Sequence, residues 1–216
     1  MIVFSKEVRK VIYRVADIRE KSEKDYETAY NSLPLWRREK ADKYRFLQDR
    51  KRSVFAYELL ISMPSDYLEA EDNAFEIYED ERGKLRLKES ELGFNISHSG
   101  AFVACAIHEG EVGIDIEEKR ELSPRLFESV LSGDELKILT RGEEVPTKTI
   151  SKDLPMAAEF LRFWTVKEAY LKYTGEGLSG GIKHVKVSLT PGPTILDKDL
   201  NLISEDMGEY LISVVY

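Results

Sequence analysis

Six residues near the middle of the chain, Val112-Gly113-Ile114-Asp115-Ile116-Glu117, leave little freedom in how the rest can fold. At the period of a β-strand, Val112, Ile114 and Ile116 point to one face and Gly113, Asp115 and Glu117 to the other. The first face demands a core. The second carries two carboxylates about 7 Å apart along the strand, and Gly113 leaves room beside them. One hard divalent cation can join such a pair, directly or through a water. Acidic residues alternating on a half-exposed strand are ordinary in themselves, so the chemistry has to be sought in what meets them. Just upstream, Ala101–Ile107 is an apolar run of the kind that forms a buried strand.

Around this centre the pattern is mixed α and β. Val11–Val15 reads as a strand, Asp25–Leu33 and Trp36–Phe46 as helices, and Arg50–Met63 as a longer helix stopping before Pro64. Phe75–Tyr78 and Lys84–Leu87 flank Gly83 as a hairpin, and Asn95–Gly100 reads as a polar turn. Beyond the acidic strand, taken as Glu111–Glu117, come helical stretches and then β segments at Val185–Leu189 and Tyr210–Val215. Arg141–Pro155, with its two prolines and no period, is a loop or mobile flap. A chain of 216 residues buries roughly 70% of its unfolded surface. Two similar α+β lobes, 1–108 and 109–216, fit this order best.

Charge narrows the function. With 32 basic and 40 acidic residues the net charge is -8, which argues against a nonspecific nucleic-acid binder. Nearly all of the excess lies in the second half, since residues 1–108 hold 19 basic and 20 acidic side chains against 13 and 20 in the remainder. One segment runs the other way. From Arg37 to Arg52 there are eight basic and three acidic side chains, a place for something anionic. No apolar run approaches the roughly 20 residues of a membrane span, and the first residues lack a secretory pattern. The lone Cys105 forms no internal disulfide and no zinc-spaced Cys/His cluster exists, so a reducing, cytoplasmic compartment is expected.

Phe163–Tyr173 has helical period, with Phe163, Val166, Ala169, Tyr170 and Tyr173 as its apolar stripe and Gly175 as a C-cap. Glu168 and Lys172 share the opposite side, bordered by Trp164 and Lys167. An i,i+4 Glu–Lys pair is common helix decoration worth about 0.2–0.5 kcal/mol. Set against Asp115 and Glu117, however, it supplies a third carboxylate and a cation, the composition of a magnesium site for a pyrophosphate ligand. His98, flanked by Ser97 and Ser99 and followed by Gly100, adds donors of the kind phosphate oxygens need.

These three motifs, in this order, resemble the 4'-phosphopantetheinyl transferase superfamily in its longer, surfactin-synthetase-activating type. The family pattern is asparagine-hydrophobic-serine-histidine-serine, then glycine-hydrophobic-aspartate-hydrophobic-glutamate, then a tryptophan-containing helix reading lysine-glutamate-x-x-x-lysine. Here they stand at Asn95–Ser99, Gly113–Glu117 and Trp164–Lys172. Weaker likeness extends to Arg37–Lys40, Arg52-Ser53 and Arg82-Gly83-Lys84.

The resemblance implies an α+β intramolecular pseudo-dimer of two related lobes with coenzyme A in the cleft between them. It implies Asp115, Glu117 and Glu168 as ligands of Mg2+, with Lys172 and Lys167 adding positive charge. Ser97, His98, Arg37, Lys40 and Arg52 would surround the phosphates, and Gly83 and Lys84 would border the adenine. The implied reaction transfers 4'-phosphopantetheine from coenzyme A to a serine of an acyl or peptidyl carrier protein and releases adenosine 3',5'-bisphosphate, with Glu168 and Lys172 as catalytic residues. A monomer is expected, without a nucleic-acid or membrane partner. Two other readings use the same residues: a magnesium-dependent pyrophosphate or nucleotide hydrolase, and a non-catalytic coenzyme A-binding module.

Overall fold

The computed structural model describes residues 1–8, 11–68, 76–177 and 181–216. In chain order the first half contains β1 (Ile2–Val8), β2 (Val11–Asp17), α1 (Glu23–Ser32), α2 (Leu35–Asp42), α3 (Leu47–Leu68), β3 (Ile77–Glu79), β4 (Leu85–Leu87), β5 (Gly93–Ser99) and β6 (Phe102–His108). The second half contains β7 (Gly113–Glu118), α4 (Arg125–Val130), α5 (Gly133–Thr140), α6 (Pro155–Thr174), β8 (Val187–Ser188), β9 (Thr194–Ile195), β10 (Leu202–Asp206) and β11 (Tyr210–Val215), with a short 3-10 turn at Ile182–His184.

The long strands form two antiparallel sheets, ordered β1-β2-β6-β5 and β10-β11-β7. Alternation along each strand divides the apolar residues among three cores. Val103, Cys105 and Ile107 of β6 lie with Val54, Leu60 and Met63 of α3 on one side of the first sheet. Their neighbours Phe102, Ala104 and Ala106 face Ile114, Ile116, Ile212 and Val214 of the second sheet, together with Tyr13 and Val15. The far side of the second sheet, through Leu211 and Val215, packs on Phe163, Val166 and Ala169 of α6. The result is a helix, sheet, sheet, helix stack, as two amphipathic sheets require if each is to hide both apolar faces. Among the described residues no helix is long and apolar enough to cross a membrane.

Several sequence expectations change. Asn95–Ser99 is not a turn but most of β5, paired from Asn95↔Ala106 to Ser99↔Phe102, and the reversal is confined to Gly100 and Ala101. Its polarity misled because the polar side chains serve the neighbouring strand β7 rather than solvent. The helix expected to stop before Pro64 runs on to Leu68. A proline forfeits one i to i−4 bond and strains one turn, and the buried face from Val54 to Met63 already holds this helix. The helix expected over Trp36–Phe46 ends at Asp42, where Tyr44 leaves the helical path to meet the His98 ring edge-on at 6.4 Å. Phe75, the expected start of the hairpin, lies outside the described residues. The Arg141–Pro155 segment is a loop but not a free flap, since Ile150 is buried and bridges Leu122. The edge strands β1 and β10 escape a reading by pattern because neither contains a fully buried residue, so no core face stands out along them.

The position that sets α6 against the second sheet is Gly113. A Cβ there would collide with the Ala169 carbonyl oxygen and the Tyr173 backbone nitrogen, neither of which can swing aside. We therefore expect Gly113→Ala to destabilise the protein by about 3 kcal/mol, measured as a fall in the urea midpoint. Gly133→Ala, whose Cβ would meet nothing within 4 Å, should leave the midpoint unchanged or slightly raised.

Candidate active site

The two sheets meet along β5 and β7, which lie edge to edge without a backbone ladder between them. Side chains replace that ladder. Asn95 Oδ1 accepts from the Ile114 amide at 3.3 Å and Ser97 Oγ from the Ile116 amide at 3.3 Å, satisfying the edge of β7. Asn95, Ser97 and Ser99 recur every second residue, so strand geometry puts all three on the side facing β7. The same alternation sends Phe94 and Ile96 to the core shared with α3.

Ser97 Oγ donates to Asp115 Oδ1 at 2.8 Å, and Ser99 Oγ donates to Glu117 Oε2 at 2.7 Å. From the opposite side the close approach at Gly113 brings the last two turns of α6 over β7. Lys172 Nζ donates to Asp115 Oδ1 at 2.7 Å and to Ser97 Oγ at 2.9 Å. One lysine thus ties a serine of the first sheet to an aspartate of the second.

The carboxylates here are under strain from burial and from one another. Asp115 is only 4% exposed, and its Oδ2 has no hydrogen-bond partner among the described residues. Burial raises its pKa, opposed by the charge and hydrogen bond of Lys172. Glu117 is pushed up to about 7, first by burial and then by the charge of Asp115. Glu168 is likewise pushed up to about 7 by burial and then by Asp115, with Lys172 pulling the other way. Asp115 therefore acts on both glutamates, which places Asp115, Glu117 and Glu168 in one local field. Among the described residues no three His, Cys, Asp or Glu groups close around a common point. The donor set, three carboxylates with a buried oxygen left unpartnered, nonetheless suits a hard divalent cation.

The basic residues gather on the first-sheet side. The His98 imidazole is pushed down to about 4, first by burial and then by the nearby charges of Lys172, Arg52 and Arg37. Arg52 Nη1 donates to the Gly100 carbonyl at 2.9 Å, while its other arm pairs with Asp49. Arg37 is 4% exposed, lies over the Tyr57 ring and donates to Ser53 Oγ at 3.0 Å, with its Nε lacking a partner among the described residues. Lys40 pairs with Glu79. A depression of about 500 Å³ lined by Arg19, Lys51, Arg52, Gly100 and Glu118 opens beside this group.

Two expected ligand cations are spent elsewhere. Lys167 does not face the carboxylates. It is fully buried, donating to Glu135 Oε2 at 2.6 Å and to the Val130 carbonyl at 3.1 Å. The helical angle of 100° per residue separates it from Lys172, so it belongs to the core of the second half. The Lys84 ammonium is likewise turned inward, onto Glu111 and the Tyr173 carbonyl. The turn at Gly83 stays open, since a Cβ added there would meet nothing within 4 Å.

Four residues outside the expected ligand and catalytic set contribute. Asn95 covers the β7 edge, Ser99 holds Glu117, and Ser213, directly opposite Asp115 in the ladder, exchanges a 2.8 Å hydrogen bond with Thr165 of α6. Asn95 and Ser99 were legible as part of an alternating polar set. Ser213 was not, since its register against Asp115 exists only in the folded sheet.

Comparison with known proteins identifies the family. A 4'-phosphopantetheinyl transferase, N-terminal model matches residues 20–110, and a 4'-phosphopantetheinyl transferase superfamily model matches residues 111–214. The chain is 31% identical over 161 residues to 4'-phosphopantetheinyl transferase HetI of Nostoc sp., an alignment covering 70% of this chain and 63% of that protein. It is 32% identical over 157 residues to 4'-phosphopantetheinyl transferase psf-1 of Bacillus pumilus, covering 71% and 63% respectively. To 4'-phosphopantetheinyl transferase Sfp of Bacillus subtilis it is 27% identical over 170 residues, covering 78% and 71%. The matched region thus spans 63% of the length of the first two relatives. With one family model on each half of the chain and the three motifs brought together where those halves meet, the chain belongs to the 4'-phosphopantetheinyl transferase superfamily, in its Sfp-like type.

Proposed function

We propose that the protein transfers 4'-phosphopantetheine from coenzyme A to a serine of an acyl or peptidyl carrier protein, as a cytoplasmic, monomeric enzyme whose lobes, 1–108 and 109–216, form an intramolecular pseudo-dimer. The observation that carries this reading is the junction itself. Lys172 donates at once to Asp115 of β7 and to Ser97 of β5, the residue next to His98, so the acidic and basic groups adjoin. A ligand with a metal-bound diphosphate at one end and a further phosphate at the other matches that division of charge.

In this reading Asp115, Glu117 and Glu168 hold Mg2+, which supplies charge neutralisation on the pyrophosphate when bound. Lys172 binds a phosphate oxygen, and His98, Arg37, Arg52 and Lys40 receive the remaining phosphate charge. His98 is neutral at pH 7 because it is buried among cations, and an anion among them reverses that field. The Gly83 turn borders the adenine. The serine Oγ of the carrier attacks the β-phosphorus, its proton passes to a Glu168 carboxylate oxygen, and the bond from that phosphorus to the bridging oxygen breaks. Adenosine 3',5'-bisphosphate leaves with the bridging oxygen.

Intact mass of apo carrier proteins after incubation with this protein, coenzyme A and Mg2+ tests the reading. A serine-linked phosphopantetheine adduct is expected, and phosphopantetheine released without any acceptor would establish a hydrolase instead. Glu168→Gln should bind coenzyme A within about threefold of wild type by calorimetry yet lose about 100-fold or more in turnover; near-normal turnover would remove Glu168 from the chemistry.

The carboxyl groups also make stability depend on pH in a direction opposite to the common acidic case. Folded pKa values near 7 for Glu117 and Glu168 lie above the usual value of 4.5, so the native state binds the extra protons. Through these two groups native stability falls as pH rises from about 4.5 to about 7, opposed in part by His98, whose imidazole is pushed from 6.5 down to about 4 and so adds stability as pH rises through that range. Chelator-treated protein should show this fall in its thermal midpoint, and millimolar Mg2+ should raise the midpoint more at about pH 7.5 than at about pH 5, because the ligands must first lose their protons. Equal Mg2+ stabilisation at both values, or none, would remove the metal assignment.

A further inference from the structure

The β3–β4 hairpin comes from the first half of the chain, yet the side chains of its turn end on α6. Lys84 Nζ donates to the Tyr173 carbonyl at 2.8 Å and to Glu111 Oε2 at 2.5 Å, with its side chain only 4% exposed. Arg82 Nη1 reaches the Thr174 carbonyl at 3.4 Å. Both carbonyls lie in the last turn of α6, where a helix has no amide left to satisfy them. Cations there also meet the negative end of the helix dipole. The backbone at Gly175, the left-handed cap that ends α6, lies against the stems of the same two residues: a Cβ there would stand 3.7 Å from Arg82 Cδ and 3.9 Å from Lys84 Cδ.

The hairpin is stiffened to do this. Asp80 Oδ1 accepts from the Arg82 amide at 3.0 Å and the Lys84 amide at 2.9 Å, and its Oδ2 accepts from Arg86 Nε at 3.1 Å. Arg86 Nη1 then grips the second oxygen of Glu111 at 2.5 Å. Burial pushes the Lys84 pKa down and Glu111 opposes it. An ammonium kept in so dry a place is held for geometry, since an apolar side chain would cost less to bury.

The turn so capped is the one from which Lys172 reaches Asp115 and Ser97, and beneath it Gly113 admits the Ala169 carbonyl and the Tyr173 amide. Terminal helical turns fray unless something holds them. We propose that Lys84 is a positioning residue that caps the last turn of α6 from the other half of the chain and thereby fixes where Lys172 meets Asp115 and Ser97. Its side chain is then a strut rather than an adenine contact. The proposal rests on the reading of α6 as the catalytic helix.

Three variants of the full chain test it: Lys84→Met, which keeps the stem and removes the ammonium, Lys84→Arg, and Glu111→Gln, which leaves Lys84 in place without its carboxylate. Hydrogen exchange over 170–177 should be at least tenfold faster in Lys84→Met, with 156–166 unchanged, intermediate in Glu111→Gln and close to wild type in Lys84→Arg. Phosphopantetheine transfer to an apo carrier should follow the same order, with kcat at least tenfold lower in Lys84→Met while KM for coenzyme A stays within twofold. Unchanged exchange with unchanged kcat overturns the proposal, as does a tenfold rise in KM at normal kcat, which would make Lys84 a direct coenzyme A contact. If Lys84→Met does not fold, Glu111→Gln decides by the same readouts. Absence of transfer by the wild type would overturn the functional reading alone, and the exchange measurement would still decide whether Lys84 holds the helix end.

Discussion

Asp115 is a carboxylate in a place where a bare charge is costly, and much of the molecule is arranged around keeping it there. Two elements distant in sequence answer for one of its oxygens on β7: β5 sends Ser97 and α6 sends Lys172. None of these partners is useful unless the two sheets lie edge to edge and the helix comes within backbone contact of the strand. The first condition is met by Asn95 and Ser97 covering the β7 amides, the second by the missing side chain at Gly113. A single buried charge thereby couples the packing of both halves of the chain.

Helix α6 carries a second buried ion pair one residue before Glu168, and the contrast between the two separates structure from chemistry. In Lys167–Glu135 every polar group is used. Lys167 Nζ reaches Glu135 and two backbone carbonyls, while the two oxygens of Glu135 accept from Ser132 and Val187 amides. Such a closed set stabilises a fold and offers nothing to a ligand; removing one member would cost about 3–5 kcal/mol. Around Asp115 the set stays open, with one oxygen unpartnered and two neighbouring glutamates pushed up to about 7. Incomplete compensation of this kind marks a site that a charged ligand finishes.

The opposite imbalance lies across the seam. Burial together with the charges of Lys172, Arg52 and Arg37 depresses the His98 imidazole, and the Nε of buried Arg37 is a donor without a partner among the described residues. Lys172, bonded to Asp115 on one side and to Ser97 beside His98 on the other, stands at the boundary between the two groups. The net charge of -8 conceals this local division, which is why overall charge argued against nucleic acid but said nothing about phosphate.

Much of this was legible in the residues. The alternation in Val112–Glu117, the helical period of Phe163–Tyr173 and the basic run Arg37–Arg52 each identify one wall of the site, because periodicity is a local property that sequence records directly. Polarity misled at Asn95–Ser99, where buried hydroxyls serve a strand edge, and proline misled at Pro64, where packing outweighs one lost hydrogen bond. The sequence by itself determined the acidic strand, the helix that carries Glu168 and Lys172, and the glycine between them. Only the tertiary structure decided which cations face the carboxylates: Lys172 does, whereas Lys167 goes to Glu135 and Lys84 to the end of α6. A lysine's partner depends on which buried acceptor lies within reach of its long side chain, and that distance exists only once the two sheets and their helices have packed.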